Sequence, residues 1–413
     1  MFNLKELANN KDFYLKMFER KGYFLAKEFT NFLFYYDDYK KTLIIDENDR
    51  NKLNDLSKKI PKNPNLKLEA KKLSSKIKKN SENKKNLFEK VINIVSSFPN
   101  IPFDDIPIGK NEKDNKIILE KKVKNHKTNE IFHLDILKQK KLILEEEAIF
   151  ISGRRHVIYQ DKAAQVIFAL ERLMLDFSIQ KSYKMIDSPL IVNEKVLYNT
   201  AQLPKFKDDL FELKNKQFLI PTAEVPLTNL VANKIVDQKQ LPLKYCSFTN
   251  CFRKEVASAG KDTKGIIRLH QFRKVEIVKI GKKVDLENDF KEMIDLIKEL
   301  LDQFDISYRL VNLCTGDLSF SSKKTIDFEI WFPGQKRYRE ISSLSIIGDF
   351  QARRMNARFI DDKTKEKEYL YTYNGSALAI DRLFAAIVEN YYQKDQSILI
   401  PKVLQKYLPF NKF

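Results

Sequence analysis

The segment "RLHQFRKVE", residues 268–276, has the residue pattern from which a sheet can be predicted in this chain. In a β-strand every second side chain lies on the same face. One face of this segment would hold a guanidinium, an aromatic ring and a carboxylate, on Arg268, His270, Phe272, Lys274 and Glu276. The opposite face is apolar enough to be half-buried, and it consists of Leu269, Gln271, Arg273, Val275 and Ile277. We therefore predict a strand that buries one face and gathers chemically active groups on the other.

Further strands are predicted around this segment. Residues 245–255 and 267–280 form two predicted strands, joined by a mobile hairpin loop at 256–265 that has little apolar content. The other predicted elements are an apolar helix at 161–179, a strand that ends at Pro189, a strand pair at 325–347, and a polar loop that leads into an amphipathic helix at 374–392. Antiparallel strands with helices packed behind them indicate an α+β fold. The chain has no Walker A and no G-x-G-x-x-G motif, which argues against a P-loop or Rossmann nucleotide site.

The composition limits the class of protein. The chain has 413 residues, of which 43% are hydrophobic, so two or three domains with a sizeable core are expected. Three cysteines argue against a disulfide framework and favour a reducing cytoplasm, and four histidines without a Cys-x-x-Cys pair make zinc unexpected. A start that is charged within a few residues argues against a signal peptide, and no apolar run is long enough to suggest a membrane span. The net charge of +19 favours polyanionic partners such as nucleic acid.

The front of the chain predicts an antiparallel helical hairpin, called the arm here, over residues 28–97. Apolar residues recur at alternating steps of three and four on both sides of a turn at 61–65, which contains two prolines. When the chain is folded back at that turn, the polar interruptions of the two seams, Asp46 and Asn80, fall opposite each other. Helices of about thirty residues give an arm of roughly 45 Å, with little core of its own and high expected mobility.

The charge of the arm leaves two interpretations open. Residues 51–98 contain thirteen lysines, no arginine and four acidic residues. An excess of lysine on a thin projecting arm favours contact with a phosphate backbone. A solvated coiled coil that mediates dimerisation would show the same charge, and charge alone divides the two interpretations about evenly.

Several polar pairs fall on segments that we predict to be strands, where both members would face the same way: Arg253 with Glu255, Thr222 with Glu224, and Glu340 with Ser342. Each pair alone would usually be a surface ion pair or a polar face. Together they suit a nucleotide and an amino acid. Guanidiniums bind phosphate in a bidentate fashion, Phe272 offers a flat surface to a base, and carboxylates bind an amine or Mg²⁺.

The motifs resemble those of a known family. The segments "TAEVPLTN", "GIIRLHQFRKVE", "YREISSLSIIGDFQARR" and "NGSALAIDR" resemble bacterial-type seryl-tRNA synthetases, which are class II aminoacyl-tRNA synthetases. The resemblance implies an antiparallel sheet flanked by helices at 101–413, preceded by an arm domain at 1–100. Its three class motifs would lie at 161–189, 245–280 and 374–392. It also implies a homodimer, a cytoplasmic location, and an arm that binds serine tRNA, and selenocysteine tRNA where that is present.

The resemblance also implies site residues and ligands. Serine would contact Thr222, Ala223, Glu224, Arg253, Glu276, Asn374 and Ser376. ATP would contact Arg253, Lys254, Glu255, Arg268, Phe272, Glu340, Ile341, Ser342, Ser343 and Arg382. Phe272 and Arg382 would cover the two faces of adenine, Glu340 and Ser343 would hold Mg²⁺, and no zinc is expected. Catalysis of adenylate formation would depend on Arg253, Arg268 and Arg382.

The chain departs from the family pattern at several small residues. Asn199, Ala201, Ala257, Ala377 and Asp381 stand where glycine is usual. These changes affect loop geometry and could lower efficiency, whereas the charged and aromatic contacts remain. Two other functions are consistent with the sequence. One is activation of an amino acid for a carrier protein, and the other is RNA binding by a catalytically degenerate paralogue.

Overall fold

The computed structural model describes residues 1–123, 130–256 and 265–413. Most of the predicted loop at 256–265, including Ala257, lies outside these residues. The chain divides into two compact units, Met1–Pro99 and Asn100–Phe413. Across the described ranges, no helix combines the length and the apolar character that crossing a bilayer would require.

The first unit contains the predicted helical hairpin. Its helices are α1 (Leu4–Asn9), α2 (Lys11–Arg20), α3 (Ala26–Lys59) and α4 (Leu66–Ser96). The turn at 61–65 separates α3 from α4, as its prolines predict, and α3 extends about 50 Å at 1.5 Å per residue. Aromatic residues close the base of the hairpin, where Phe29 stacks on Phe98 with ring centroids 5.6 Å apart. The arm of the predicted fold is confirmed.

The polar layer in the middle of the arm pairs differently from the prediction. Asp46 accepts hydrogen bonds from Arg50 Nε at 3.1 Å and from Lys84 Nζ at 2.5 Å. Asn80 donates instead to Asp49, at 3.3 Å. Asp49 is buried and Arg50 is exposed, so the buried side of α3 shifts by one residue from the predicted seam. The buried positions Asp46 and Asp49 are three residues apart, whereas the predicted seam has a step of four residues here.

The second unit contains a large sheet, two small sheets and eight helices among its described residues. The helices are α5 (His133–Gln139), α6 (Glu145–Ser152), α7 (Asp161–Gln180), α8 (Glu194–Asn199), α9 (Glu224–Asn229), α10 (Leu286–Asp302), α11 (Phe350–Met355) and α12 (Ile380–Tyr391). The strands are β1 (Lys116–Lys121), β2 (Lys184–Met185), β3 (Ile191–Asn193), β4 (Glu212–Leu213), β5 (Gln217–Leu219), β6 (Ile235–Val236), β7 (Leu243–Phe252), β8 (Gln271–Gly281), β9 (Tyr308–Asn312), β10 (Lys324–Phe332), β11 (Arg337–Gly348), β12 (Arg358–Ile360), β13 (Lys367–Tyr369) and β14 (Tyr371–Ala379).

The large sheet has eight strands in the order β1-β9-β10-β11-β14-β8-β7-β2. All neighbours are antiparallel except β2, which is parallel to β7. Helices α5, α7, α10 and α12 contribute to the main apolar core, together with Val275 and Ile277 of β8. The next residues on the opposite face, Val278 and Ile280, join a second core with α9 and α11. The α+β fold with an antiparallel sheet between helices is confirmed.

The structure corrects the start of β8. Arg268 and His270 precede the strand, because residues 265–270 form a bend that leads into it. Gly265 has φ +83°, and a Cβ at this position would lie 2.5 Å from His133 Nε2. The chain therefore turns closely over a buried histidine before it enters the sheet.

Three other predicted elements are also corrected. Glu224 begins helix α9 and does not lie on a strand with Thr222. The predicted strand before Pro189 is only β2, two residues long, and β3 begins after the proline. The predicted polar loop at the start of 374–392 is the end of strand β14, where Asn374 and Ser376 pair with β8. The short side chains of this strand did not indicate from the sequence that it is buried.

Candidate active site

A cavity of about 520 Å³ opens in the second unit, where β8, β11 and β14 meet the segments that follow β5 and β7. The structure brings most of the predicted site residues to this cavity. Those that line it are Thr222, Glu224, Arg253, Glu255, Arg268, Phe272, Glu276, Glu340, Ile341, Ser343, Asn374, Ser376 and Arg382.

Three predicted site residues do not line the cavity. Ala223 is buried in the second core, behind Thr222 and Glu224. Ser342 is also buried, and its hydroxyl donates to the carbonyl of Ser376 at 2.6 Å, which ties β11 to β14. Lys254 is exposed, with Nζ 5.8 Å from the centroid of the Phe211 ring. The side chains of Ala223, Lys254 and Ser342 therefore do not face the cavity.

Two buried carboxylates form one end of the cavity. Glu224 accepts hydrogen bonds from Gln351 Nε2, at 2.7 Å, and from the amide of Asn374. Burial, followed by the nearby Glu276 carboxylate, raises the pKa of Glu224 to about 7. Burial also raises the pKa of Glu276, against the opposing effect of Lys274. This end therefore offers hydrogen-bond acceptors to a small polar ligand and attracts a cationic amine.

Lys274 already occupies part of this region. Its ammonium forms an ion pair with Glu276 and donates to Thr222 Oγ1 at 3.0 Å. Lys274 shares the cavity-facing side of β8 with Phe272 and Glu276, as strand alternation predicts. A ligand ammonium that binds Glu276 must therefore share this carboxylate with Lys274.

The other end of the cavity combines guanidiniums with an aromatic ring. The Arg253 guanidinium lies 5.2 Å from the centroid of Phe272, and Arg253 Nε donates to the carbonyl of Pro221 at 3.1 Å. Arg382 Nε donates to the carbonyl of Ile267 at 3.1 Å. Its NH1 group lies 3.2 Å from the Glu340 carboxylate. Flat rings and guanidinium planes can stack on a base, and guanidiniums also neutralise phosphate charge.

Arg253 and Glu255 reach the cavity from a turn, not from the predicted strand. β7 ends at Phe252, and Glu255 has φ +54°, a left-handed conformation that reverses the chain. The Glu255 carboxylate accepts a hydrogen bond from Arg268 NH1 at 2.5 Å. The two segments on either side of the 257–264 gap are thus joined by an ion pair at the rim of the cavity.

Oxygen ligands for a divalent cation are available on β10 and β11. Glu340 and Ser343 line the cavity, and Asp327 lies opposite Ser343 in the strand register. Asp327 Oδ1 is buried without a hydrogen-bond partner among the described residues. Burial and then Glu340 raise the pKa of Asp327 well above its usual value. Within the same residues, no cluster of three or more His, Cys, Asp or Glu side chains could hold a metal ion alone.

Some residues that line the cavity, or that bond to residues lining it, were given no role by the sequence. Gln351 bonds both Glu224 and the hydroxyl of Thr372, at 2.7 Å, although it belongs to the quoted segment 338–354. Lys274 was placed on the correct face without a function. Arg273 and Asp381 also line the cavity and bond each other. Only the charge of Asp381 at a position where glycine is usual could have pointed to this last pair.

The chain is similar to known proteins along its whole length. The family model described as the tRNA synthetase class II core domain (G, H, P, S and T) matches residues 205–391. The serine–tRNA ligase of Mycoplasmopsis agalactiae is 41% identical over 422 residues, which cover 100% of this chain and 99% of the relative. The serine–tRNA ligase of Mesoplasma florum is 44% identical over 367 residues, covering 88% of this chain and 84% of the relative.

Solved structures agree with these relatives. Seryl-tRNA synthetase from Pyrococcus horikoshii, complexed with ATP, has a TM-score of 0.91 and 31% identity, and the match covers 100% of this chain and 99% of that one. Cytoplasmic serine–tRNA ligase from Naegleria fowleri, in complex with AMP, has a TM-score of 0.83 and 27% identity, with 96% and 94% of the chains covered. With this fold, the assembled cavity and full-length identity above 40%, the chain belongs to the serine–tRNA ligase family of class II aminoacyl-tRNA synthetases.

Proposed function

We propose that this chain is an ATP-dependent serine–tRNA ligase, which forms seryl-adenylate and transfers the seryl group to the 3′ end of serine tRNA. One observation carries the proposal. A single cavity places the guanidiniums and the ring of Phe272 beside two buried carboxylates, Glu224 and Glu276. The first group suits a nucleotide, and the second suits a small amino acid with an ammonium and a hydroxyl.

The first step is attack of the serine carboxylate oxygen on the α-phosphorus of ATP. The new bond forms as the bond to pyrophosphate breaks, and pyrophosphate leaves. The protein contributes orientation and charge neutralisation. The charge of Arg253, at the guanidinium end, also acts on Glu224 and Glu276, so Arg253 is the group expected to contact both reactants. Arg268 and Arg382 would act on the phosphates and the base. Orientation alone can supply up to about 7–11 kcal/mol of barrier lowering.

Serine selection is assigned to the carboxylate end. Glu276 would receive the ammonium, and Glu224, with Thr222, Asn374 and Ser376, would surround the side chain. A ligand without the hydroxyl leaves buried polar groups unpaired, so alanine is rejected strongly. Threonine adds only a methyl group, which discriminates by about 1–3 kcal/mol unless the wall is rigid.

Glu340 and Ser343 fit a magnesium ion, and Asp327 stands behind them. Mg²⁺ prefers oxygen ligands and is usually held by one or two carboxylates together with substrate phosphates. When bound there, it would neutralise phosphate charge. The chain's own residues set the position, because Glu340 is held by Arg382 and Ser343 faces Asp327 across β10 and β11.

We assign the arm to serine tRNA, and we propose a cytoplasmic homodimer. The lysine excess of residues 51–98 suits a phosphate backbone. Exposed apolar side chains on α6 and α7 support a partner copy, since Phe150 is 92% and Phe168 is 67% exposed. The sequence motif at 161–189, which includes α7, is the one that the resemblance assigns to dimerisation.

Serine-dependent exchange of pyrophosphate into ATP, followed by charging of serine tRNA, tests this function. Arg253→Ala should lower the exchange rate at least about 100-fold, because no other group replaces its contact with both reactants. Arg253→Lys is the matched control, and it should recover only part of the rate, since a point charge cannot form the bidentate contact. Circular dichroism and thermal melting would verify that both variants fold.

The outcomes separate the proposal from its rivals. Serine-dependent exchange without charging of serine tRNA would favour activation for a carrier protein. Binding of tRNA without exchange would favour a degenerate RNA-binding paralogue. Normal exchange in Arg253→Ala would refute the role of that residue.

A further inference from the structure

A buried carboxylate lies at the start of α12, directly before Arg382. Asp381 is only 2% exposed, in a position where the family resemblance leads one to expect glycine. Removing a charged carboxylate from water is costly unless hydrogen bonds and an opposite charge compensate it. The contacts of Asp381 therefore show what the substitution provides.

Asp381 bonds to two neighbouring elements. Its Oδ2 accepts a hydrogen bond from the main-chain N–H of Arg273 at 2.7 Å. Its Oδ1 accepts from the hydroxyl of Tyr159 at 2.8 Å and from Arg273 NH1 at 3.2 Å. The Arg273 guanidinium lies 5.4 Å from the centroid of the Tyr159 ring, which itself packs edge-on against Phe384 of α12. The three polar groups form a closed network.

The main-chain bond lies at the point where the ladder between β14 and β8 ends. Ser376 pairs with Glu276, the register then shifts, and Ala379 pairs with Lys274. The next residue of β8 is Arg273, and its N–H is bound by the Asp381 carboxylate. The carboxylate thus adds one more link between β8 and the chain that follows β14.

We propose that Asp381 is a positioning residue for the nucleotide base. Phe272 immediately precedes Arg273, and Arg382 immediately follows Asp381, so the Asp381–Arg273 bond fixes the distance between the ring and the guanidinium that would cover adenine. A glycine at this position has no side chain to make the link. The inference rests on the proposed function, since it assumes that the base binds between Phe272 and Arg382.

A purely structural ion pair is the competing explanation, and ligand selectivity separates the two. A structural pair would stabilise the whole cavity, so that its loss would affect serine and ATP alike or affect neither. A positioning residue for the base changes ATP binding while the carboxylate end, built by Glu224 and Glu276, remains intact. The measurement that separates the two explanations is therefore the ratio of the Kd of ATP to the Kd of serine.

Isothermal titration calorimetry of ATP and of serine, on the full chain and its variants, tests the proposal. In Asp381→Gly, the Kd of ATP should rise about tenfold, while the Kd of serine stays within about twofold. Asp381→Asn keeps an acceptor for the Arg273 N–H and should recover most of the ATP affinity. Tyr159→Phe removes one bond but leaves that link, so both constants should stay within about twofold of the original protein.

Each outcome decides the matter. An unchanged ATP Kd in Asp381→Gly, an equal rise for serine and ATP, or a Tyr159→Phe effect as large as that of Asp381→Gly would overturn the proposal. If thermal melting shows that Asp381→Gly does not fold, Asp381→Ala replaces it: a Kd of ATP raised about tenfold with the Kd of serine unchanged supports the proposal, and an equal effect on both ligands or on neither overturns it. ATP binding by the original protein without serine-dependent exchange would refute the proposed function but leave this series interpretable, whereas absent ATP binding would refute both.

Discussion

At the scale of single residues, Glu224 is an acid whose surroundings favour its neutral form. Its pKa rises from 4.5 to about 7, first because of burial and second because Glu276 is close. Between these two values the folded protein keeps a proton that the unfolded chain has released. The stability contribution of this group is therefore fully present below about pH 4.5 and is lost as the pH rises through about 7.

Glu224→Gln should remove this pH dependence. A shift of one pKa unit corresponds to about 1.4 kcal/mol. Between pH 5 and pH 8, the original protein should therefore lose up to about 3 kcal/mol more of its free energy of unfolding than the variant does. Urea unfolding at the two pH values measures this difference, without substrate present. Glu366→Gln, at an exposed position, is the control and should keep the slope of the original protein. An equal slope in Glu224→Gln would contradict the assigned pKa.

At the scale of elements, the end of helix α8 contains two residues, Asn199 and Ala201, that stand where glycine is usual but have different backbone conformations. The N–H of Gln202 bonds to the carbonyl of Leu197 at 2.9 Å, and the N–H of Ala201 bonds to that of Tyr198 at 3.1 Å. This is a Schellman motif, which requires a left-handed residue, and Ala201 has φ +65°. Asn199 is still helical, and its side-chain amide donates to Asn229 at 2.7 Å.

Substitution by glycine should change the stability of the protein in opposite directions at these two positions. Ala201→Gly relieves the left-handed strain of a residue with a Cβ and should stabilise the protein by up to about 1 kcal/mol. Asn199→Gly weakens the helix and removes the bond to Asn229, so it should destabilise by about 1–2 kcal/mol. Denaturant midpoints at constant slope measure both changes. Destabilisation by Ala201→Gly would show that the φ at this position carries no cost.

The elements that the sequence predicted are those with a regular period. The alternation in β8 placed Phe272, Lys274 and Glu276 on one face, and the heptads placed both helices of the arm. The errors fall where a contact distant in sequence ends an element. The bend at Gly265 over His133 is one such contact, and no periodicity reports it. The helical position of Glu224 was missed because α9 is only six residues long.

Contacts between residues distant in sequence were also missed at the candidate site. Motif resemblance supplied thirteen of the residues that line the cavity, since the family's side chains recur in order along the chain. It could not supply Gln351 as a partner of Glu224, or the link between Asp381 and Arg273, because these pairs are separated by 127 and 108 residues. Such contacts exist only once the sheet has brought distant segments together.

At the scale of the whole molecule, the chain consists of a helical unit that contains the lysine-rich arm and a second unit that contains the cavity. The arm's exposed lysines include Lys71, Lys72 and Lys78 on α4. Amino acid activation requires only the cavity, whereas charging also requires tRNA. The proposed division of labour therefore predicts that charge changes on the arm affect only the second process.

Replacing Lys71, Lys72 and Lys78 together by Glu should raise the Kd for serine tRNA at least about tenfold and reduce its salt dependence, because phosphate contacts release counterions. Serine-dependent pyrophosphate exchange without tRNA should stay unchanged. The matched control makes the same change of charge at Lys363, Lys365 and Lys367, which are exposed on the other unit, and it should bind tRNA almost normally. Filter binding at several salt concentrations measures both variants. If the control weakens binding as much as the arm variant, the effect reflects net charge, and the assignment of the arm to tRNA is wrong.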